Sequence, residues 1–291
     1  MFREVQHFLN HFRELEKKQF TQTKEEERQW IDLKNKLTVT GSHTAASAEQ
    51  TFRRVIAVCS LFPQAGASFL AANYAFCQAS RGVYTTLCEH PERISYYYFA
   101  LDGERRGKAS PSAASNQIEK SVELKDGLLR VKMKPPYAQN ESMGQAEIAS
   151  WYLANSKESA LLIIDLSSNW HTEVAALIAE WADELWFVLD TDLPRITCLI
   201  ATEEIPPLWK KYSDKIHLIA NKWNAGLDRS SVVKRLEGTL SLWTGSKQSR
   251  ISAFIPLIDP VKVSTVQSSG KLLLEQFPGC SESFQPLLVL E

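Results

Sequence analysis

The sequence offers no apolar run close to the roughly 18 residues that a membrane-spanning helix needs; its longest, such as 160–164 and 185–189, are a few residues each. The stretch after Met1 also lacks the apolar core of a signal peptide. A cytoplasmic protein is the expectation, with recruitment to a membrane-associated complex left open. Cysteine is sparse: Cys59, Cys77, Cys88, Cys198 and Cys280 form an odd set without a CxxC pair, which argues against a disulfide scaffold or a zinc knuckle. The first four sit in apolar runs and read as small buried hydrophobes. No excess of either charge exists, with 33 Lys+Arg against 34 Asp+Glu and a net charge of −1. DNA binding through a basic surface that releases counterions is therefore not expected. Neither GxSxG nor HExxH occurs, so hydrolase and zinc-protease readings have no local support. His7 and His11 stand four apart on a helical pattern but have no third ligand at metal spacing, and they read as a solvated or partner-facing surface.

What is present is a soluble-protein composition, 44% hydrophobic and 23% charged over 291 residues, enough for one large α/β domain with an appendage. Residues 2–36 contain neither Gly nor Pro, and Phe2, Val5, Phe8, Leu9, Phe12 and Leu15 recur at helical spacing. The polar face beside them mixes both charges, which favours docking against protein over a membrane surface. The polar stretch 38–50 reads as a linker. The division is a helical arm at 1–37, a linker at 38–52 and a main domain at 53–291.

Within the main domain short apolar, β-branched runs alternate with longer amphipathic segments, the pattern of a mainly parallel sheet wrapped by helices. Strands are predicted at 54–60, 83–88, 128–133, 160–166, 184–190, 215–221 and 251–255. The alternation of 121–134 around Asp126-Gly127 also fits a local hairpin. Basic pairs at Arg53-Arg54, Arg105-Arg106 and Lys210-Lys211 are scattered and read as solvated surface.

The first strand, Val55-Ile56-Ala57-Val58-Cys59-Ser60, runs into Leu61-Phe62-Pro63-Gln64-Ala65-Gly66-Ala67-Ser68 and then a helical pattern. Strand, short loop and helix N-terminus is the frame in which backbone N–H groups face a phosphate. The flanks IAVCS and FLAANYA resemble the MinD/ParA family of deviant Walker-type ATPases, whose loop reads KGGxGK(T/S). The resemblance puts the family's signature lysine at Phe62, its paired glycines at Pro63 and Gln64, and its phosphate-binding lysine at Ala67. Gly66 and Ser68 are retained. Without the lysines no cation holds the β- and γ-phosphates, Pro63 lacks a donor, and Gln64 resists the positive φ a glycine adopts freely.

Further stretches carry the resemblance across roughly residues 53–277. Leu161-Leu162-Ile163-Ile164-Asp165 is similar to the family's hhhhDxPP strand, whose acid reaches magnesium through water; Ser167 and Ser168 stand where that motif has prolines. Asp165 reads equally as a cap for the helix that follows. Ile216 through Asn221 resembles the strand whose asparagine contacts adenine, although Asn221 also suits a turn at a strand end. Phe254-Ile255-Pro256-Leu257-Ile258-Asp259-Pro260, with Ser269-Gly270-Lys271, is similar to the family's IPyDp…Gk element. At the end of the second strand, where the family has an aspartate for the attacking water, either Cys88 or Glu89 falls.

The resemblance implies a doubly wound P-loop NTPase fold. It also implies a vestigial nucleotide site at Gly66, Ser68, Asp165 and Asn221 that needs no cofactor, with weak ATP/Mg binding as the residual alternative. ATP hydrolysis is not expected. The leading expectation is a positioning or assembly scaffold with protein partners, like the CpaE/TadZ branch that serves Flp-type pilus and secretion machinery. Its homodimer would form without nucleotide, through apolar contact of Phe62 and Pro63. A weak ATP-binding switch and a plasmid or chromosome partition protein are the rival readings.

Overall fold

The computed structural model describes residues 53–111, 118–138, 142–205, 207–224, 226, 229–245 and 249–290. The helical arm, the linker and the His7/His11 pair lie outside these residues.

Nine strands among the described residues form one sheet: β1 (Arg54–Ser60), β2 (Thr85–Glu89), β3 (Lys108–Pro111), β4 (Ile118–Leu124), β5 (Leu129–Met133), β6 (Leu161–Ser167), β7 (Glu184–Leu189), β8 (Ile216–Trp223) and β9 (Ile251–Pro256). Their order is β3-β4-β5-β2-β6-β1-β7-β8-β9, parallel from β5 to β9 and antiparallel at β3-β4-β5. The helices flanking it are α1 (Ala67–Ser80), α2 (Tyr96–Ala100), α3 (Gly103–Arg106), α4 (Gln145–Lys157), α5 (Glu173–Trp181), α6 (Leu193–Thr202), α7 (Pro207–Lys211), α8 (Arg229–Thr244), α9 (Pro260–Ser269) and α10 (Leu273–Gln276).

The central strands are buried on both sides, which is why their sequences read as continuous apolar runs. β5 satisfies both sequence readings of its region. It pairs in parallel with β2 and closes an antiparallel hairpin with β4, whose turn takes Lys125, Asp126 and Gly127 through positive φ. α1 is Ala-rich and lies close to the sheet through Leu70, Ala71, Tyr74 and Ala75. It ends in a Schellman motif: Gly82 takes φ 88°, its N–H bonds the Ala79 carbonyl, and Val83 N–H bonds the Gln78 carbonyl. Asp259 caps α9 through Val261 N–H at 2.9 Å, and Gly270 closes that helix at φ 64°.

Two expectations about basic pairs fail. Arg54 is half-buried, its guanidinium 2.6 Å from Glu184 and 3.2 Å from the Tyr74 hydroxyl. Arg106 pairs with Glu275 at 2.7 Å and donates to the Gly270 carbonyl. In each case the long aliphatic stem is covered and the charged head finds a carboxylate from a distant segment. Cysteine burial is also uneven: Cys59, Cys77 and Cys88 are buried, but Cys198 is exposed on α6, where Ile196 is the residue turned fully inward. No helix among the described residues is long and apolar enough to cross a membrane.

Candidate functional site

Strand order reverses around β1, with β6 on one side and β7 on the other, so the loop after β1 lies at the point where α/β sheets open a crevice. All four candidate residues converge there. Gly66 caps α1 at φ 96°, a left-handed conformation open to glycine, and a Cβ built on it would collide with the Asn221 amide nitrogen. Asn221 is buried, and that nitrogen donates to the Ala65 carbonyl at 2.9 Å. β8 continues two residues beyond it to Trp223, so Asn221 clasps the loop from within a strand and is not a turn residue at a strand end.

Gln64 takes φ 71°, the conformation a glycine would favour, contrary to the expectation that its side chain would resist. Its carbonyl accepts from Lys222 Nζ at 2.6 Å, and Lys222 also lies 3.8 Å from Asp190. The strain of one left-handed non-glycine residue, about 1–2 kcal/mol, is offset by this charge-assisted bond. Phe62, at the position of the signature lysine, is 4% exposed beneath the Arg195 guanidinium, 4.7 Å from the ring centroid. It is core, so it cannot supply the exposed apolar contact expected of it; Pro63 beside it is exposed. Ala67, at the position of the phosphate lysine, is 3% exposed.

Asp165 is 1% exposed. Its Oδ1 accepts from the Ser167 amide at 2.8 Å and the Ser167 hydroxyl at 3.0 Å, and its Oδ2 lies 2.9 Å from the Tyr97 hydroxyl. Ser167 sits at φ 49°, which proline cannot adopt, and donates an N–H that proline lacks; the replacement of the motif's first proline thus builds this turn. Burial raises the Asp165 carboxyl, opposed by hydrogen bonds from Ser68, Ser167 and Tyr97. Asp165 does not cap the next helix; Thr172 does, accepting from Ala175 N–H at 3.1 Å. The Ser68 hydroxyl lies 3.1 Å from that of Ser167, which joins the first turn of α1 to the end of β6.

The register resolves which residue of β2 faces this acid. Glu89 pairs with Asp165, whereas Cys88 pairs with Ile164 and reaches Asn155 of α4 at 3.4 Å. Burial and then the Asp165 charge push Glu89 up to about 8, opposed by bonds from Ser95 and the Tyr96 and Tyr97 amides.

Sequence reasoning missed Tyr97 and Lys222. The run Tyr96-Tyr97-Tyr98 was a visible signal, because three large aromatics after a strand must divide between core and surface. Lys222 directly follows the motif asparagine, but its partner Gln64 lies 158 residues away and nothing local marks the pairing.

The parallel sheet, the switch-point loop and the acid at the end of the neighbouring strand define the MinD/ParA P-loop NTPase fold. No protein-family model and no curated protein matches the chain. Among solved structures it is similar to a ParA family ATPase from Chlorobium tepidum, at 17% identity and TM-score 0.54, covering 83% of this chain and 99% of that one. A plasmid partition protein from Borrelia burgdorferi, bound to AMPPNP, aligns at 10% identity and TM-score 0.58 over 82% and 98% of the two chains. MinD in the MinC:MinD cell division complex of Aquifex aeolicus aligns at 18% identity and TM-score 0.53 over 81% and 96%. At these identities the likeness is one of fold.

Proposed function

We propose that this chain is a catalytically silent relative of the MinD/ParA positioning ATPases, acting as a positioning or assembly scaffold whose organisation does not depend on nucleotide. The observation that carries this reading is the loop itself: the positions of both lysines are occupied by buried Phe62 and Ala67. Three further features fit a magnesium nucleotide poorly. The Asn221 amide is committed to the loop backbone beside Gly66. Lys222, the cation nearest Gly66 in that contact, is committed to the Gln64 carbonyl. Both Asp165 oxygens already have protein donors.

The surface supports a protein partner. Of eight exposed large hydrophobics among the described residues, six (Ile94, Tyr96, Phe99, Tyr137, Leu257 and Val261) follow closely on the carboxyl ends of β2, β5 and β9. Like Pro63, they follow the carboxyl ends of the parallel strands. We infer a homodimer through this carboxyl-end side of the sheet, since exposed apolar side chains on one side mark a contact surface. Flp-type pilus or secretion machinery is the assembly we infer it serves, on the resemblance to the CpaE/TadZ branch; genes for pilus secretion components beside this one would support that assignment, and their absence would remove it. Sedimentation velocity at high protein concentration tests the scaffold reading. A dimer of the same size with and without magnesium ATP is the expected result; a dimer that forms with ATP alone, or a monomer throughout, contradicts it.

A further inference from the structure

The segment between β2 and β3 reaches into the candidate site through one side chain. α2 turns Tyr97 and Tyr98 inward and leaves Tyr96 and Phe99 exposed. The Tyr97 hydroxyl, carried by a residue 1% exposed, lies 2.9 Å from Asp165 Oδ2 and 2.9 Å from the Ser68 carbonyl. It thus touches both parts of the site that the resemblance joins through a metal-bound water and a phosphate: the acid ending β6 and the first turn of α1.

Tyr97 is held there from both ends of its segment. Before it, the Glu89 carboxylate accepts from the amides of Tyr96 at 2.7 Å and Tyr97 at 3.3 Å and from the Ser95 hydroxyl, while Ser95 Oγ accepts from Tyr98 N–H at 3.1 Å. After it, Arg106 of α3 is tied to the Gly270 carbonyl and to Glu275 of α10. Gly270 packs so tightly against this segment that a Cβ on it would meet Asp102 Cβ at 2.9 Å. The C-terminal element therefore clamps the strap that delivers Tyr97.

We propose that Tyr97 is an internal bridge, a built-in substitute for the ligand that would otherwise fasten the β1–α1 loop to β6, and that the α2–α3 strap is the latch that keeps it in place. The inference rests on the nucleotide-independent reading above and deepens it by naming what stabilises the loop instead. A phenol suits this role because its ring fills apolar space while its hydroxyl donates to a buried carboxylate.

Hydrogen–deuterium exchange on the full chain tests it. In Tyr97→Phe, which keeps the ring and removes the hydroxyl, amides of 62–70 should exchange at least tenfold faster, while those of β8 and β9 stay unchanged. Arg106→Gln, which cuts the clamp at a half-buried site, should accelerate the same amides to a smaller degree and serves if Tyr97→Phe fails to fold. In Asp165→Asn, the further substitution Tyr97→Phe should add little, because the two act through one contact. Unchanged exchange at 62–70 in Tyr97→Phe, or in Arg106→Gln should that variant alone fold, overturns the latch and leaves Tyr97 as a packed core ring. Protection of 62–70 in the wild type by magnesium ATP would instead contradict the nucleotide-independent reading, an outcome read independently of the comparison between ligand-free variants.

Discussion

Gly66 and Asn221 show how residues of a strand–loop–helix frame can be fixed by packing alone. Gly66 is required by its φ of 96° and by the Asn221 amide in the space where a Cβ would go. Gly66→Ala should therefore cost on the order of 2 kcal/mol in urea unfolding, whether or not nucleotide is present. Asn221→Ala should relieve the overlap, so the double variant should be destabilised by less than the sum of the two single changes. Strictly additive costs would show that the two side chains are not in contact. His90 gives a prediction of a different kind. It is buried at the end of β2, its Nε2 3.1 Å from the Thr172 hydroxyl and its Nδ1 accepting from the Glu92 amide at 3.3 Å, an arrangement that suits the neutral ring. Burial pulls its imidazole down from 6.5 to about 4. Between those values the unfolded chain binds a proton that the folded chain refuses, so stability falls as pH drops from 6.5 towards 4. The loss should approach roughly 3 kcal/mol, and His90→Asn should flatten the dependence of the urea midpoint across that window.

Elements were legible where pattern and turn chemistry agree. β1 and α1 follow from an apolar run and a helical pattern on either side of the loop, and both appear in place. The α2–α3 strap was not legible, because two short helices have no periodicity to read and their order depends on contacts with Glu89, Asp165, Gly270 and Glu275, all distant in sequence or set by register. The same reason hid Arg106, which resembles any surface arginine until α10 is folded beside it. Arg106→Ala should lower unfolding stability by roughly 1–3 kcal/mol, since it strips a half-buried carboxylate and a carbonyl of a charged donor. Glu275→Gln in the same background should add little; full additivity in thermal unfolding would mean the pair is not coupled.

At the scale of the whole molecule, the sequence resemblance and the sheet order agree on the fold, and the four candidate residues gather at the loop after β1, where the strand order reverses. The near-zero net charge of the chain takes on meaning in this setting. Around the loop after β1 stand buried Phe62 and Ala67, a clasping asparagine and a tyrosine hydroxyl, while Lys222 and Arg195 beside it are engaged with protein groups. On this reading the protein itself fills the role of the ligand. Equilibrium titration of the full chain with a fluorescent ATP analogue and magnesium tests it most directly. No saturable binding up to about 1 mM is the predicted result; micromolar, magnesium-dependent affinity abolished by Asp165→Ala would contradict it.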